Sequence, residues 1–593
     1  MKVSERVYAG TAVAAGVVVL VVVLRYGGAI EPEIPGLPTA GPVTVWGLPL
    51  VRLCYDVCAL ACVGTLTAAG LAPTGSPEAG RCVRAAGWWA LGWAFTAALS
   101  YLATLSDLIP LPVVNLLTSP DMLEFGLSIP QTQALLLVLG VALAVAVSAG
   151  APVWARLAVA AFGLLPPAYV GHAASAGDHD IAISALMAHL VPVSVWVGGL
   201  AAVLVHFRRS PALPVVLPRF STLALCCFAA VAVSGVASAW VRLGTPSDLW
   251  LTGYGQLLLA KTAALVVLGL FGWNHRRHTV AGVAGRGVRR TFVRLAVGEV
   301  TVMAAAIGLA VGLSRTPPPP GSGGGHGHLV LGYALAPFSP SALVTEVRLD
   351  PAILLLLALP AAAYWVGVRR VPGWPASRTL AFAAGLALAA LVLLGGVGGY
   401  ARAMPSVHAL QHAVLTVVSP LLLCLGAPLT LAARATAAAP DSWLLPRPRA
   451  LMIAYPVAFL ALYATPWLPW SLSGYAPHVL TEFLFLGLGL VVCWVLAGVD
   501  PLPRPVSWPA RVRLLTVVTA VHIALGAYLI LGPEVAGEWF RPAAPPGVPD
   551  VLGDQRLAGA VAMLLPLTAL AVLAVRMAWL RMDALARVSG SDA

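Results

Sequence analysis

A set of histidines with partners at helical spacing is where this sequence could do chemistry. His408 and His412 stand four residues apart, one above the other on a helical face. Met404 precedes them by one further turn, with Pro405 between. His478 and Glu482 repeat the same spacing in a later apolar run; His522 and Asp554 fall in two more. Two imidazoles at i, i+4 can share one metal ion, and a thioether beside them tilts the preference towards copper. The same residues, taken singly, serve as polar contacts between membrane helices. An HxxxH pair is common by chance; it gains weight here from lying in apolar sequence, beside a second run that carries His and Glu.

A second group occurs earlier. His172 ends one apolar run, Asp178-His179-Asp180 follows, and His189 lies about two turns into the next run. Imidazole and carboxylate together suit several divalent metals. His326 and His328 sit in a Gly-rich stretch and read as linker. His275 and His278 lie among arginines and read as solvated loop residues. Cys54, Cys58 and Cys62, at i, i+4, i+8, could pass Cu(I) along one helix face, or simply pack there as small apolar residues.

These residues can only be positioned by membrane helices. Apolar residues make up 60% of the chain and charged residues 10%, against roughly 25% charged in a soluble domain. Mean hydropathy is +0.90. Apolar runs long enough to cross the hydrocarbon core recur throughout, without the period-2 alternation of an outer-membrane barrel. The expectation is an all-α, polytopic membrane bundle of about sixteen spans. They are placed near 8–25, 43–70, 85–105, 131–149, 157–172, 181–206, 218–241, 253–273 and 291–313, then 350–368, 379–398, 408–431, 450–468, 477–497, 513–531 and 556–575.

The net charge of +12 is a topology signal, because the basic residues gather in alternate loops. That pattern places both termini in the cytoplasm and the histidine-bearing helix ends outside; it gives no footprint for nucleic acid. Acidic residues concentrate in the intervening loops, where they favour the approach of cations. No phosphate-binding loop, dinucleotide fingerprint or nucleophile elbow occurs in a fitting context, so no enzyme activity is expected.

Thr316–Ser322, TPPPPGS, followed by Gly- and His-rich sequence, cannot continue a helix and divides the chain. The expected organisation is N-terminal helices over 1–84, a membrane domain over 85–315 and an external linker over 316–349. A second membrane domain follows over 350–585, with a short tail over 586–593.

In the first half, Gly171-His172-Ala173, His189, Trp196-Val197-Gly198-Gly199-Leu200, Arg219-Phe220-Ser221, Gly235–Ala239, Tyr254-Gly255-Gln256 and Lys261 resemble the copper resistance protein D (CopD) family. In the second half, His408-Ala409-Leu410-Gln411-His412, Leu425–Pro428, Gly498-Val499-Asp500-Pro501-Leu502-Pro503, His522 and Asp554-Gln555-Arg556 resemble the CtaG family of cytochrome c oxidase assembly factors. The joining of the two is of actinobacterial type. The resemblance implies a multi-pass protein of a bacterial plasma membrane that handles copper. It would move copper across or into the membrane, or deliver it for oxidase assembly, with oxidase subunits as partners. His172 and His189 become candidate copper contacts in the first half, alongside His179. In the second half His408, His412 and His478 would bind first, Glu482, Asp554 and Met404 would assist, and His522 would be a deeper relay position. This sequence departs from the second family's HxxMHxHF pattern: Glu482 and Leu484 stand where histidines are usual, and Met563 and Leu567 where Trp and Glu are usual. A haem-binding electron-transfer protein and a metal-free assembly scaffold are the alternatives.

Overall fold

Helices form wherever apolar runs were expected, because a backbone in hydrocarbon must satisfy its own N–H and C=O groups. The computed structural model describes residues 2–30, 35–170, 178–280, 286–319, 330–436, 448–502, 505–548 and 550–590. Among the described residues there is no strand. Among the described residues thirteen helices are long and apolar enough to cross a membrane, against about sixteen spans expected, and Gly10–Tyr26 and Pro448–Ala464 are apolar but shorter. The chain forms two compact units, Met1–Gly325 and His326–Ala593.

The long helices of the first unit are α1 (Lys2–Tyr26), α2 (Gly41–Leu71), α3 (Pro77–Leu108), α4 (Pro130–Val147), α5 (Val153–Gly163), α6 (His179–Val193), α7 (Leu213–Trp240), α8 (Gly253–His275) and α9 (Arg286–Leu313). The α6 helix continues through a widened, π-type turn at Ser194–Gly198 into Gly199–His206. Gly64 of α2 meets that turn backbone to backbone: a Cβ added at Gly64 would lie 1.9 Å from the Gly198 carbonyl carbon. Arg315 clamps Asp107 at the end of α3 with two hydrogen bonds, of 2.8 and 3.2 Å.

The second unit contains α10 (Pro351–Arg370), α11 (Ala376–Leu394), α12 (Pro405–Ala413), α13 (Pro448–Ala464), α14 (Tyr475–Ala497), α15 (Trp508–Leu531) and α16 (Val551–Gly590). It repeats the device. The α12 helix widens at Val414–Val418, then continues over Ser419–Leu425. Gly489 of α14 packs on the widened turn so closely that a Cβ there would sit 2.2 Å from the Thr416 carbonyl oxygen. Widened turns of this kind are frequent beside functional sites.

The stretch expected as an external linker, 316–349, is linker only in part. Leu331, Tyr333 and Ala342 are buried in the core of the second unit, and the Tyr333 hydroxyl donates to the Gly399 carbonyl at 2.7 Å. An apolar and aromatic minority in a Pro/Gly-rich segment suffices to fold it onto a helix bundle. His326 and His328 lie outside the described residues, as does the end of the tail at 591–593.

Candidate metal centre

Pro405 opens α12, where its missing N–H leaves no hydrogen bond unmade. The carboxylate of Asp554, at the start of α16, accepts from the Ser406 backbone N–H at 2.9 Å and from the Ser406 hydroxyl. The first turn of α12 is thereby held, and His408 and His412 follow on its buried face. Across from them, α14 presents His478 and Glu482 one turn apart. His408, His412, His478 and Glu482 are 3%, 3%, 8% and 1% exposed.

Three of these side chains converge, with His478 beside them. One ligand atom each from His408, His412 and Glu482 lies within 4.8 Å of the others. Donors about 2 Å from a common ion lie no more than about 4 Å apart, so closure on a metal requires a shift of under about an ångström. The His412 Nε2 stands 3.1 Å from Glu482 Oε1. The His408 ring is 4.4 Å from that of His412 and 6.3 Å from that of His478, centre to centre. No ring nitrogen of the three histidines and neither oxygen of Glu482 makes a hydrogen bond of acceptable geometry among the described residues. Buried polar atoms left in this state cost roughly 1–3 kcal/mol each, and the three of the metal group could hold an ion. His408 also walls a cavity of about 20 Å³ with Tyr463, Leu529 and Gln555, room for one water-sized occupant.

The other expected ligands stand apart. His522 is buried but fully committed: Nδ1 meets the Ala562 carbonyl at 3.1 Å and Nε2 the Tyr455 hydroxyl at 2.9 Å. A carbonyl only accepts, so Nδ1 carries the proton and Nε2 accepts from Tyr455. Asp554 is occupied by Ser406. Met404 is 3% exposed and packs in the apolar core with Tyr400 and Val407. Leu484 is 49% exposed, so the histidine missing there would not have faced this group. Glu482 does face it, in the place where the family pattern leads one to expect histidine.

In the first unit, His189 Nδ1 is 3.1 Å from the Ser234 hydroxyl of α7. His179 starts α6 with its Nδ1 3.9 Å from Asp180, while Asp178 caps the Ile181 N–H. His172 lies outside the described residues. The structure therefore assembles no described group in this unit comparable to that of α12 and α14. Cys54 is exposed, Cys58 half-buried and Cys62 buried, so the three do not share one environment.

Two buried groups escaped the reading from sequence. His275, expected in solvent, is 8% exposed, 3.3 Å from the buried Glu299 and edge-on to Phe292. The available signal was Glu299 itself, an ionisable residue in an apolar run. Arg402 is 3% exposed, donates from Nε to the Leu472 carbonyl at 2.9 Å, and acts electrostatically on His478.

Comparison with known proteins finds one family match in each unit. Residues 362–583 match the model of the cytochrome c oxidase caa3 assembly factor family, and residues 214–313 that of copper resistance protein D. An uncharacterised protein of Mycobacterium leprae is 27% identical over 455 residues, 72% of this chain and 66% of its own length. One of Mycobacterium bovis is 31% identical over 281 residues, 43% of this chain and 42% of its own. The copper transport protein CutJ of Bacillus subtilis is 28% identical over 165 residues, 26% of this chain and 30% of its own. The chain thus spans less than two thirds of the length of these relatives. No solved structure matches. This is a multi-pass bacterial membrane protein in which one chain carries a match to the copper resistance protein D family over 214–313 and a match to the cytochrome c oxidase caa3 assembly factor family over 362–583.

Proposed function

We propose that the protein handles copper in the plasma membrane, and that its second unit holds the ion on the way to an assembling oxidase. The observation that carries this reading is the buried group of His408, His412 and Glu482, with His478 beside it. Imidazoles suit copper, and a carboxylate adds an oxygen ligand or orients the His412 ring from behind. The first unit, by its family match, would move copper across or into the membrane. With the basic loops read as cytoplasmic, the ion reaches the starts of α12 and α14 from outside. The assignment is ion handling, with no covalent step.

Haem fits the group less well, because axial imidazoles must face each other across a plane, whereas His408 and His412 stand one turn apart on one helix. Copper analysis of the purified full chain tests the reading. Wild-type protein retains copper, and a His408→Ala/His412→Ala variant of unchanged fold loses most of it. Equal copper in both would overturn the assignment.

A further inference from the structure

Lys261 lies about two turns inside α8. It shares a stripe with Tyr254, Leu257 and Leu268, which are 9%, 7% and 5% exposed, and is itself half-buried. Among the described residues its ammonium has neither a hydrogen bond nor an ion pair. The groups that act on it electrostatically are basic: Arg242, just past the end of α7, and His189 of α6. Arg242 uses Nη1 on the Ser238 carbonyl, at 3.0 Å, and on the Ser238 hydroxyl, leaving its other donors for a ligand. His189 is tied through Nδ1 to Ser234, whose own proton goes to the Ala230 or Val231 carbonyl, and it supplies no counter-charge.

Two basic side chains at this end of the bilayer, neither in an ion pair among the described residues, favour an anion. A metal cation at His189 would meet their repulsion. The level in the membrane narrows the choice. Trp240 and Trp250 at this end of α7 and α8 are 81% and 58% exposed, and exposed tryptophans mark the headgroup boundary. The Lys261 stem can extend towards that level. Arginine with lysine is the pairing that recognises phosphate-type oxygens.

We propose that Lys261 and Arg242 form an oxyanion site between α7 and α8, taking a phosphate group either from an anionic lipid or free in solution. The test uses the full chain. Native mass spectrometry of protein taken from membranes containing phosphatidylglycerol counts retained lipid. In parallel, inorganic phosphate is titrated into protein held in phosphatidylcholine nanodiscs, with the thermal midpoint as readout. Wild type is expected to hold anionic lipid about ten-fold or more better than Lys261→Met/Arg242→Gln, and Lys261→Arg to keep most of that binding. A phosphate-dependent rise in midpoint, present in wild type and absent in the double variant, would identify the free ion as the ligand. If neither lipid nor phosphate separates wild type from the double variant, the site does not exist.

Discussion

His412 and Glu482 face each other between α12 and α14 at 3.1 Å, with side chains 4% and 1% exposed. A carboxylate and an imidazole this deep in an apolar bundle are costly unless they hold each other or something between them. Glu482 stands where the family pattern has a histidine and still faces His412, so a proposed ligand set here would be changed in kind rather than diminished.

Glu482→Gln is therefore expected to weaken copper binding about 10- to 100-fold, the usual effect of losing a carboxylate that supports a metal-bound histidine. Glu482→His should retain binding and shift preference towards Cu(I), which favours imidazole over a hard oxygen ligand. Competition titrations against copper chelators, in oxidising and reducing buffer, measure both. Wild-type affinity in Glu482→Gln would remove Glu482 from the site.

The helices and the His408–His412 pair were legible because they rest on local rules: apolar length for the spans, four-residue spacing for the pair. What stayed hidden depends on residues far apart in the chain. Asp554 looks like a ligand until Ser406, 148 residues away, takes both its oxygens. His522 looks like a relay until Tyr455, 67 residues away, takes its free nitrogen. His275 was misjudged because Arg276 and Arg277 beside it suggest solvent, while Glu299 draws it inward. The approach of α14 to α12 rests on one glycine against a widened turn, and neither feature has a sequence pattern strong enough to read beforehand.

The commitments of His522 and Asp554 separate support from ligation. Tyr455→Phe leaves a buried nitrogen without its donor, at a cost of about 1–3 kcal/mol, and Asp554→Ala removes the cap of α12, at about 0.5–2 kcal/mol. Both variants, and His522→Ala, should melt at lower temperature yet bind the same number of copper ions as wild type. A stoichiometric loss of copper in His522→Ala would restore that residue as a relay.

The His275–Glu299 pair predicts non-additivity. Removing one member of a buried polar pair strands its partner at about 1–3 kcal/mol, while replacing both can be nearly neutral. His275→Ala should therefore destabilise the protein more than His275→Ala/Glu299→Gln does. Thermal midpoints for the four members of the cycle decide it, and simple additivity would show that the two side chains are neighbours without coupling.

Gly489 offers the sharpest test of how the site is positioned. A methyl group there would meet the Thr416 carbonyl at 2.2 Å, whereas Gly487, on the same helix, has nothing within 4 Å. Backbone cannot yield as a flexible side chain does, so Gly489→Ala must push α14 away from the widened turn of α12. The expected cost is about 1–3 kcal/mol. Thr416 lies one turn beyond His412 and bonds its carbonyl at 2.6 Å, so the same displacement parts His412 from Glu482. Copper affinity should fall in Gly489→Ala and hold in Gly487→Ala, although neither residue offers a ligand atom. Equal affinity in the two variants would mean that the metal centre does not depend on this crossing.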